Sequence, residues 1–201
     1  MLDYVEHFVG PDAPTLLLLH GYGSNKEDLF GLQPYFEGFN LVCFQAPQSL
    51  GQGGFAWYDI QWNSGTKIID PNEVAQISKT IAEDFDLWLE EHSCHGKRFI
   101  GGFSQGGILA LSMYKTNIPT DGYVVMSGYM LPEWANENWN STIPMIQTHG
   151  MADPVIPFEW AEAGASYAQS NPNYTFKSYQ MGHHLNGPCV HDITGFLRKL
   201  L

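Results

Sequence analysis

Short, continuously apolar runs alternate with helical stretches along this chain of 201 residues, and this alternation constrains the fold most strongly. Strands that lack polar alternation are typically buried on both faces, as in parallel sheets covered by helices. The pattern therefore predicts one α/β domain over residues 1–201, with a mostly parallel central sheet and helices on both faces. Strands are predicted at residues 15–19, 40–44, from 98 to 100 onward, 123–126, 145–148 and 174–179. Helices are predicted at residues 72–91, 105–114, 157–168 and 190–201.

Charge, hydrophobicity and cysteine content indicate which partners and which location to expect. Acidic residues outnumber basic ones by 21 to 9, for a formal net charge of −12, so we expect no nucleic-acid binding. No run approaches the roughly 18 apolar residues of a membrane-spanning helix, so no stable membrane insertion is expected. The N-terminus lacks the basic cluster of a secretory signal, and the 3 cysteines form no paired pattern. These features favour free thiols and a cytoplasmic location. They give no indication of the oligomeric state.

A candidate nucleophile lies where the third strong strand meets a helix. Gly102-Phe103-Ser104-Gln105-Gly106 fits the pattern G-x-S-x-G in the strand-turn-helix setting that a nucleophile elbow requires. Glycines two positions either side of the serine allow the sharp turn, and the helix N-terminus favours negative charge beside the hydroxyl. The alternative is a tight glycine turn without chemistry.

A serine hydroxyl needs a base, and the base needs an acid to orient it. Asp153 follows the fifth predicted strand and His183 follows the sixth, which is the order serine, acid, histidine. Because His184 is adjacent, it competes for the role of base, and we prefer His183 directly after Gly182. A metal site at the C-terminal cluster of His, Cys and Asp is the other interpretation, but its spacing matches no ligand motif. We expect neither a metal nor a cofactor.

Taken together, the motifs resemble the phospholipase/carboxylesterase family of small α/β-hydrolases, which includes acyl-protein thioesterases and bacterial carboxylesterases. The matching stretches span most of the chain in the family's order. They are His20-Gly21-Tyr22-Gly23-Ser24-Asn25 with Asp28-Leu29, Ala56-Trp57-Tyr58-Asp59, residues 102–107, Met126-Ser127-Gly128 with Leu131-Pro132, and the segments around Asp153 and His183. The resemblance implies the α/β-hydrolase fold with a minimal cap. It also implies an oxyanion hole made by the backbone N–H groups of Tyr22 and Gln105.

Two tryptophans are candidates for contact with substrate. The loop before Trp57 lacks the arginine that relatives commonly carry there, and Trp134 lies in an aromatic segment after the fourth strand. Aromatic side chains at these positions could line a pocket for an apolar acyl or alcohol group, or could simply pack a surface loop.

The sequence therefore predicts a serine hydrolase that cleaves small-molecule carboxylic esters, thioesters or lysophospholipids through an acyl-enzyme. Two alternatives stay open. One is a non-catalytic binding module that keeps the scaffold, and the other is different Ser-triad chemistry, such as lactonase, peptidase or acyltransferase action.

Overall fold

A computed structural model describes residues 1–63, 66–136, 139, 141–168 and 171–201. Its strands are β1 (Tyr4–His7), β2 (Thr15–Leu19), β3 (Asn40–Phe44), β4 (Gln48–Gly51), β5 (Gly54–Ala56), β6 (Gln61–Asn63), β7 (Thr66–Ile68), β8 (Arg98–Phe103), β9 (Gly122–Met126), β10 (Met145–Gly150) and β11 (Tyr174–Tyr179). Its α-helices are α1 (Lys26–Phe30), α2 (Pro71–Glu91), α3 (Gln105–Lys115), α4 (Phe158–Ala168) and α5 (Gly187–Lys199). Short 3₁₀ helices lie at Gln33–Tyr35 and Pro132–Asn136.

Seven strands form the central sheet in the order β1-β3-β2-β8-β9-β10-β11. Every neighbouring pair is parallel except β1 with β3, which is antiparallel. The predicted mostly parallel α/β sheet is confirmed. Strand β1 escaped prediction because it is a short edge strand whose residues are only partly buried.

The sheet has a hydrophobic core on each face because successive side chains of a strand point to opposite sides. From β2, Leu17 and Leu19 pack with buried residues of α2 and α3, while Leu16 and Leu18 pack with those of α1 and α5. All four leucines are almost completely buried. This two-sided burial explains why the run is apolar without alternation.

Capping sets where the closing helix begins. Helix α5 begins at Gly187, three residues before the predicted start, because the Asn186 side chain accepts a hydrogen bond from the Cys189 amide at 3.0 Å. All three cysteines are free thiols. None of the helices that the structure describes is both long and apolar enough to cross a membrane.

Candidate active site

Three of the predicted site residues lie at one edge of the sheet because each follows the carboxyl end of a parallel strand. Ser104 follows β8, Asp153 lies in the loop after β10, and His183 lies in the loop after β11. Parallel strands end at the same edge, so the loops after them meet there. Residues far apart in sequence are thereby brought together.

The turn at Ser104 requires the glycines around it. Ser104 has φ 55° and ψ −112°, a conformation that side chains rarely adopt, and its amide is held by the Met126 carbonyl at 2.8 Å. A Cβ at Gly102 would lie 2.1 Å from the carbonyl oxygen of Gly106. A Cβ at Gly106 would lie 2.1 Å from the carbonyl oxygen of Leu19. The backbone is therefore packed too closely at both positions for any other residue.

Ser104, His183 and Asp153 form a continuous hydrogen-bonded line. His183 Nε2 lies 2.9 Å from Ser104 Oγ, and His183 Nδ1 lies 2.7 Å from Asp153 Oδ2. Because a carboxylate oxygen only accepts, Nδ1 carries the proton and Nε2 is left as the acceptor for the serine hydroxyl. The imidazole is thus oriented to take a proton from Ser104.

The carboxyl group of Asp153 is fixed and ionised. Burial alone would raise its pKa, but hydrogen bonds from His183 and from the amides of Ile156 and Val155 hold the pKa below its usual value. Those two amides donate to Asp153 Oδ1 at 2.9 and 2.8 Å. Beneath the loop, buried His149 donates from Nε2 to the Ile156 carbonyl at 2.9 Å. Asp153 therefore keeps its second oxygen directed at His183.

The structure distinguishes the two adjacent histidines. His183 lies between Ser104 and Asp153, whereas His184 lies outside this hydrogen-bonded line, in a cleft with Leu32 and Leu185 that His183 also borders. Of the two histidines, His183 is therefore the one within hydrogen-bond distance of the Ser104 hydroxyl.

The predicted oxyanion amides flank Ser104. Gly21 packs against Ser104, since a Cβ there would lie 3.3 Å from the Ser104 Cβ, and Tyr22 is the next residue. Gln105 is the first residue of α3, where an N–H has no partner within the helix. Within the described ranges, neither the Tyr22 nor the Gln105 amide donates to another residue of the protein. Two backbone donors are thus left for a ligand beside the hydroxyl.

The predicted contact of Trp57 and Trp134 with substrate does not fit their placement. Trp57 is 1% exposed, and its indole N–H donates to the His20 carbonyl at 2.8 Å. Trp134 is 2% exposed and packs beside Trp139 under the Lys115 ammonium group. Both indoles are enclosed by other residues of the protein, and neither lines the spaces beside Ser104.

The cavity beside Ser104 and a neighbouring cavity have walls that include residues not singled out by sequence analysis. A cavity of about 300 Å³ adjoins Ser104 and is mainly apolar, with Ile69 and Ile108 in its wall. A second, of about 380 Å³, is lined by Met130, Trp160 and neighbouring residues. Lys67 and Tyr129 line both, so they stand between the two.

Lys67 is the charged group in this wall. Its ammonium donates to the Val155 carbonyl at 2.8 Å. Burial lowers the pKa of Lys67, and the negative charge of Asp153 partly opposes that shift. Lys67 lies in the β6–β7 hairpin, and several residues that line the same cavity lie far from it in sequence. No local sequence motif therefore marks Lys67.

On the other side, an open cleft of about 630 Å³ runs from Ser104 and His183 along residues 21–28 to Glu27 and Asp28. In the described part of the chain, no three His, Cys, Asp or Glu side chains lie close enough to hold a metal ion. The arrangement instead combines a hydroxyl, a base and backbone donors, which suits acyl transfer.

Comparison with known proteins places this site in a family context. The Phospholipase/Carboxylesterase family matches residues 3–201. Acyl-protein thioesterase 1 of Saccharomyces cerevisiae is 28% identical over 221 residues, covering 96% of this chain and 95% of that protein. Acyl-protein thioesterase 1 homolog 1 of Dictyostelium discoideum is 26% identical over 216 residues, covering 99% and 96%.

Solved structures share the fold. Acyl-protein thioesterase 2 of Zea mays superposes with a TM-score of 0.79 at 23% identity, covering 100% of this chain and 99% of that one. The carboxylesterase of Bacillus cereus gives a TM-score of 0.82 at 20% identity, covering 100% and 95%. The chain is therefore an ester-cleaving hydrolase that belongs to the phospholipase/carboxylesterase family and has the α/β-hydrolase fold.

Proposed function

We propose that the protein hydrolyses carboxylic esters and thioesters through an acyl-enzyme on Ser104. The observation that carries this proposal is the hydrogen-bonded line from Ser104 through His183 to Asp153. The names of the relatives, which are acyl-protein thioesterases, support acyl groups as the class of substrate.

The geometry supports the following sequence of steps. His183 Nε2 takes the proton of Ser104 as its oxygen attacks the acyl carbonyl, and Asp153 stabilises the imidazolium that forms. The amides of Tyr22 and Gln105 donate to the oxyanion of the tetrahedral intermediate. As the intermediate collapses, His183 gives its proton to the leaving alcohol or thiol. Water then attacks the acyl-enzyme by the same route and releases the carboxylic acid.

The surroundings of Ser104 suggest where each part of the substrate binds. The apolar cavity of about 300 Å³ suits the acyl chain, because it offers apolar walls and few polar partners. The open cleft toward Asp28 suits the alcohol or thiol part, which can be polar and extend into solvent. Tyr22, 51% exposed, lines both spaces and lies between the two parts.

Labelling with a fluorophosphonate and turnover of p-nitrophenyl esters test the proposal directly. We expect stoichiometric labelling of Ser104, identified by mass spectrometry of the labelled peptide, together with ester hydrolysis that the label abolishes. A folded protein that is neither labelled nor active would favour the binding module instead. Parallel assays with matched acyl thioesters then establish which leaving group is preferred.

Alanine substitution of each of the two adjacent histidines gives a matched pair of variants. We expect His183→Ala to lower kcat for an ester about 10³-fold or more, since His183 is the one base bonded to the Ser104 hydroxyl among the described residues. His184→Ala should keep kcat within a few-fold of the parent's value, because among the described residues it is His183, not His184, that bonds to Ser104 and Asp153. Equal losses in both variants, or a larger loss in His184→Ala, would contradict the assignment of the base.

Lys67 is expected to limit the length of the acyl chain. Truncation to alanine removes one of the two side chains that stand between the cavities, the other being Tyr129, and should open a passage from one cavity to the other. We therefore expect Lys67→Ala to raise kcat/KM for long acyl chains, by about fourfold for each methylene newly buried. The measurement is kcat/KM across p-nitrophenyl esters of increasing acyl length.

Two control variants show whether the volume of the Lys67 side chain, its charge, or the loss of any lysine causes the shift. Lys67→Met keeps most of the volume but removes the charge, so a shift seen only in Lys67→Ala assigns the limit to bulk. Lys79→Ala removes an exposed lysine of α2 that forms an ion pair with Glu83 on the same helix, and should leave the length profile unchanged. A Lys67→Ala profile identical to the parent's would refute the role.

A further inference from the structure

Trp57 is buried between the two segments that carry the proposed oxyanion donors, and it bonds to both. Its indole N–H donates to the carbonyl of His20 at 2.8 Å, at the start of the loop that carries Tyr22. Its backbone N–H donates to the side-chain carbonyl of Gln105 at 2.9 Å. One residue thus links the end of β2 to the beginning of α3.

On the β2 side, these contacts set the direction of the Tyr22 amide. The Gly21 carbonyl accepts from His20 Nδ1 at 2.8 Å, while His20 Nε2 accepts from the Ala46 amide at 3.1 Å. Because the peptide between Gly21 and Tyr22 is planar and trans, its N–H points away from its carbonyl. The indole of Trp57 packs against the His20 ring, with 5.2 Å between ring centroids, and anchors the preceding carbonyl. The loop therefore holds the Tyr22 N–H in one direction.

On the α3 side, a double hydrogen bond fixes Gln105. While its side-chain oxygen accepts from Trp57, its Nε2 donates to the Tyr58 carbonyl at 2.7 Å. The Tyr58 hydroxyl in turn lies 3.3 Å from the Gln105 carbonyl. These partners are all buried, so water does not compete for them. The first turn of α3, and with it the Gln105 amide, is tied to the strand-end segment that carries Trp57.

We propose that Trp57 is a positioning residue that fixes the two oxyanion donors, the amides of Tyr22 and Gln105, relative to each other. Backbone donors stabilise a transition state only when they are held in place before charge develops, and small displacements cost much of the effect. The inference rests on the proposed function, and it assigns to Trp57 a role away from substrate.

Trp57→Phe tests the inference, because it keeps an aromatic ring and the backbone N–H but removes the indole donor to His20. We expect kcat for an ester to fall about 10- to 100-fold while KM changes by less than about threefold. Affinity for an alkylboronic acid, which forms a tetrahedral adduct with an active serine, should fall by a similar factor. A purely structural role would lower thermal stability without this selective loss.

Trp88→Phe is the matched control. Trp88 is also completely buried and also donates from its indole, to Glu6 at 2.8 Å, but it lies in α2 and contacts the β1 strand. It should lose stability yet keep kcat and boronate affinity. A kcat loss equal to that of Trp57→Phe, or a Trp57→Phe loss matched by a rise in KM, would overturn the proposal.

Gln105→Met gives a second route to the same answer if Trp57→Phe does not fold. It removes both side-chain hydrogen bonds of Gln105 while leaving the backbone amide, so kcat and boronate affinity should again fall with little change in KM. Folded variants with the parent's kcat would refute the positioning role alone. By contrast, full activity in a protein that lacks the Ser104 hydroxyl would refute the proposed function itself, and the two failures are thus separable.

Discussion

Replacing Ser104 with alanine is expected to lower kcat/KM for an ester by about 10³- to 10⁶-fold, because the attacking oxygen is removed while the rest of the site stays in place. The residual rate would come from the oxyanion amides and from binding alone. The fold should survive, since the Ser104 side chain bonds only to His183 among the described residues. Steady-state hydrolysis, fluorophosphonate labelling and circular dichroism on the same preparation measure the three consequences together.

Ser112→Ala is the control for this variant. Ser112 lies in α3, the helix that Ser104 directly precedes, is 1% exposed, and its hydroxyl has no hydrogen-bond partner within the described ranges. Removing that hydroxyl should leave activity unchanged and stability unchanged or slightly higher, because an unpartnered buried polar group is a cost. A Ser104→Ala protein as active as Ser112→Ala would end the assignment of the nucleophile.

Gly106→Ala is expected to reduce the free energy of unfolding by more than about 3 kcal/mol, or to prevent folding altogether. The added Cβ would lie 2.1 Å from the Leu19 carbonyl oxygen, and backbone atoms cannot move aside as a flexible side chain would. Any relief must push α3 away from β2, which displaces Ser104 as well. Urea denaturation followed by intrinsic fluorescence measures the loss.

Gly195→Ala is the matched substitution. Gly195 also lies within a helix, but nothing stands within 4 Å of an added Cβ there. Alanine should therefore stabilise α5, by about 0.5–1 kcal/mol. If both alanine variants were equally stable, the close approach of β2 and α3 could not be the reason for the glycine at 106.

Much of the fold could be predicted from the sequence, because the central strands are buried on both faces of the sheet. Strands β2, β3 and β9 were predictable because each is almost entirely apolar, as is typical of strands in a sheet covered on both sides. The hairpin β4–β5 was not predictable, because every residue of Gln48–Gly51 is exposed and the segment carries no hydrophobic pattern. Edge and hairpin strands are held by hydrogen bonds that any sequence can make, so composition does not reveal them.

The candidate site, too, could be predicted from the sequence only in part. Chain order after parallel strands pointed to Ser104, Asp153 and the histidine pair at 183–184, since the topology brings such loops together, and Ser104, Asp153 and His183 lie in one hydrogen-bonded line. The direction in which a side chain points was not predictable from order. Trp57 was expected to face substrate, yet it faces the core, because partners from β2 and α3 surround it. Lys67 reaches the cavities through contacts that no local pattern encodes.

Tyr22 separates what the enzyme does from what it accepts. Its main-chain N–H is the group proposed to meet the oxyanion, whereas its phenol ring, half exposed, borders the spaces for both parts of the substrate. Substitution of Tyr22 by any residue other than proline keeps this N–H. Evolution can thus retune selectivity here, residue by residue, without first dismantling the catalytic apparatus.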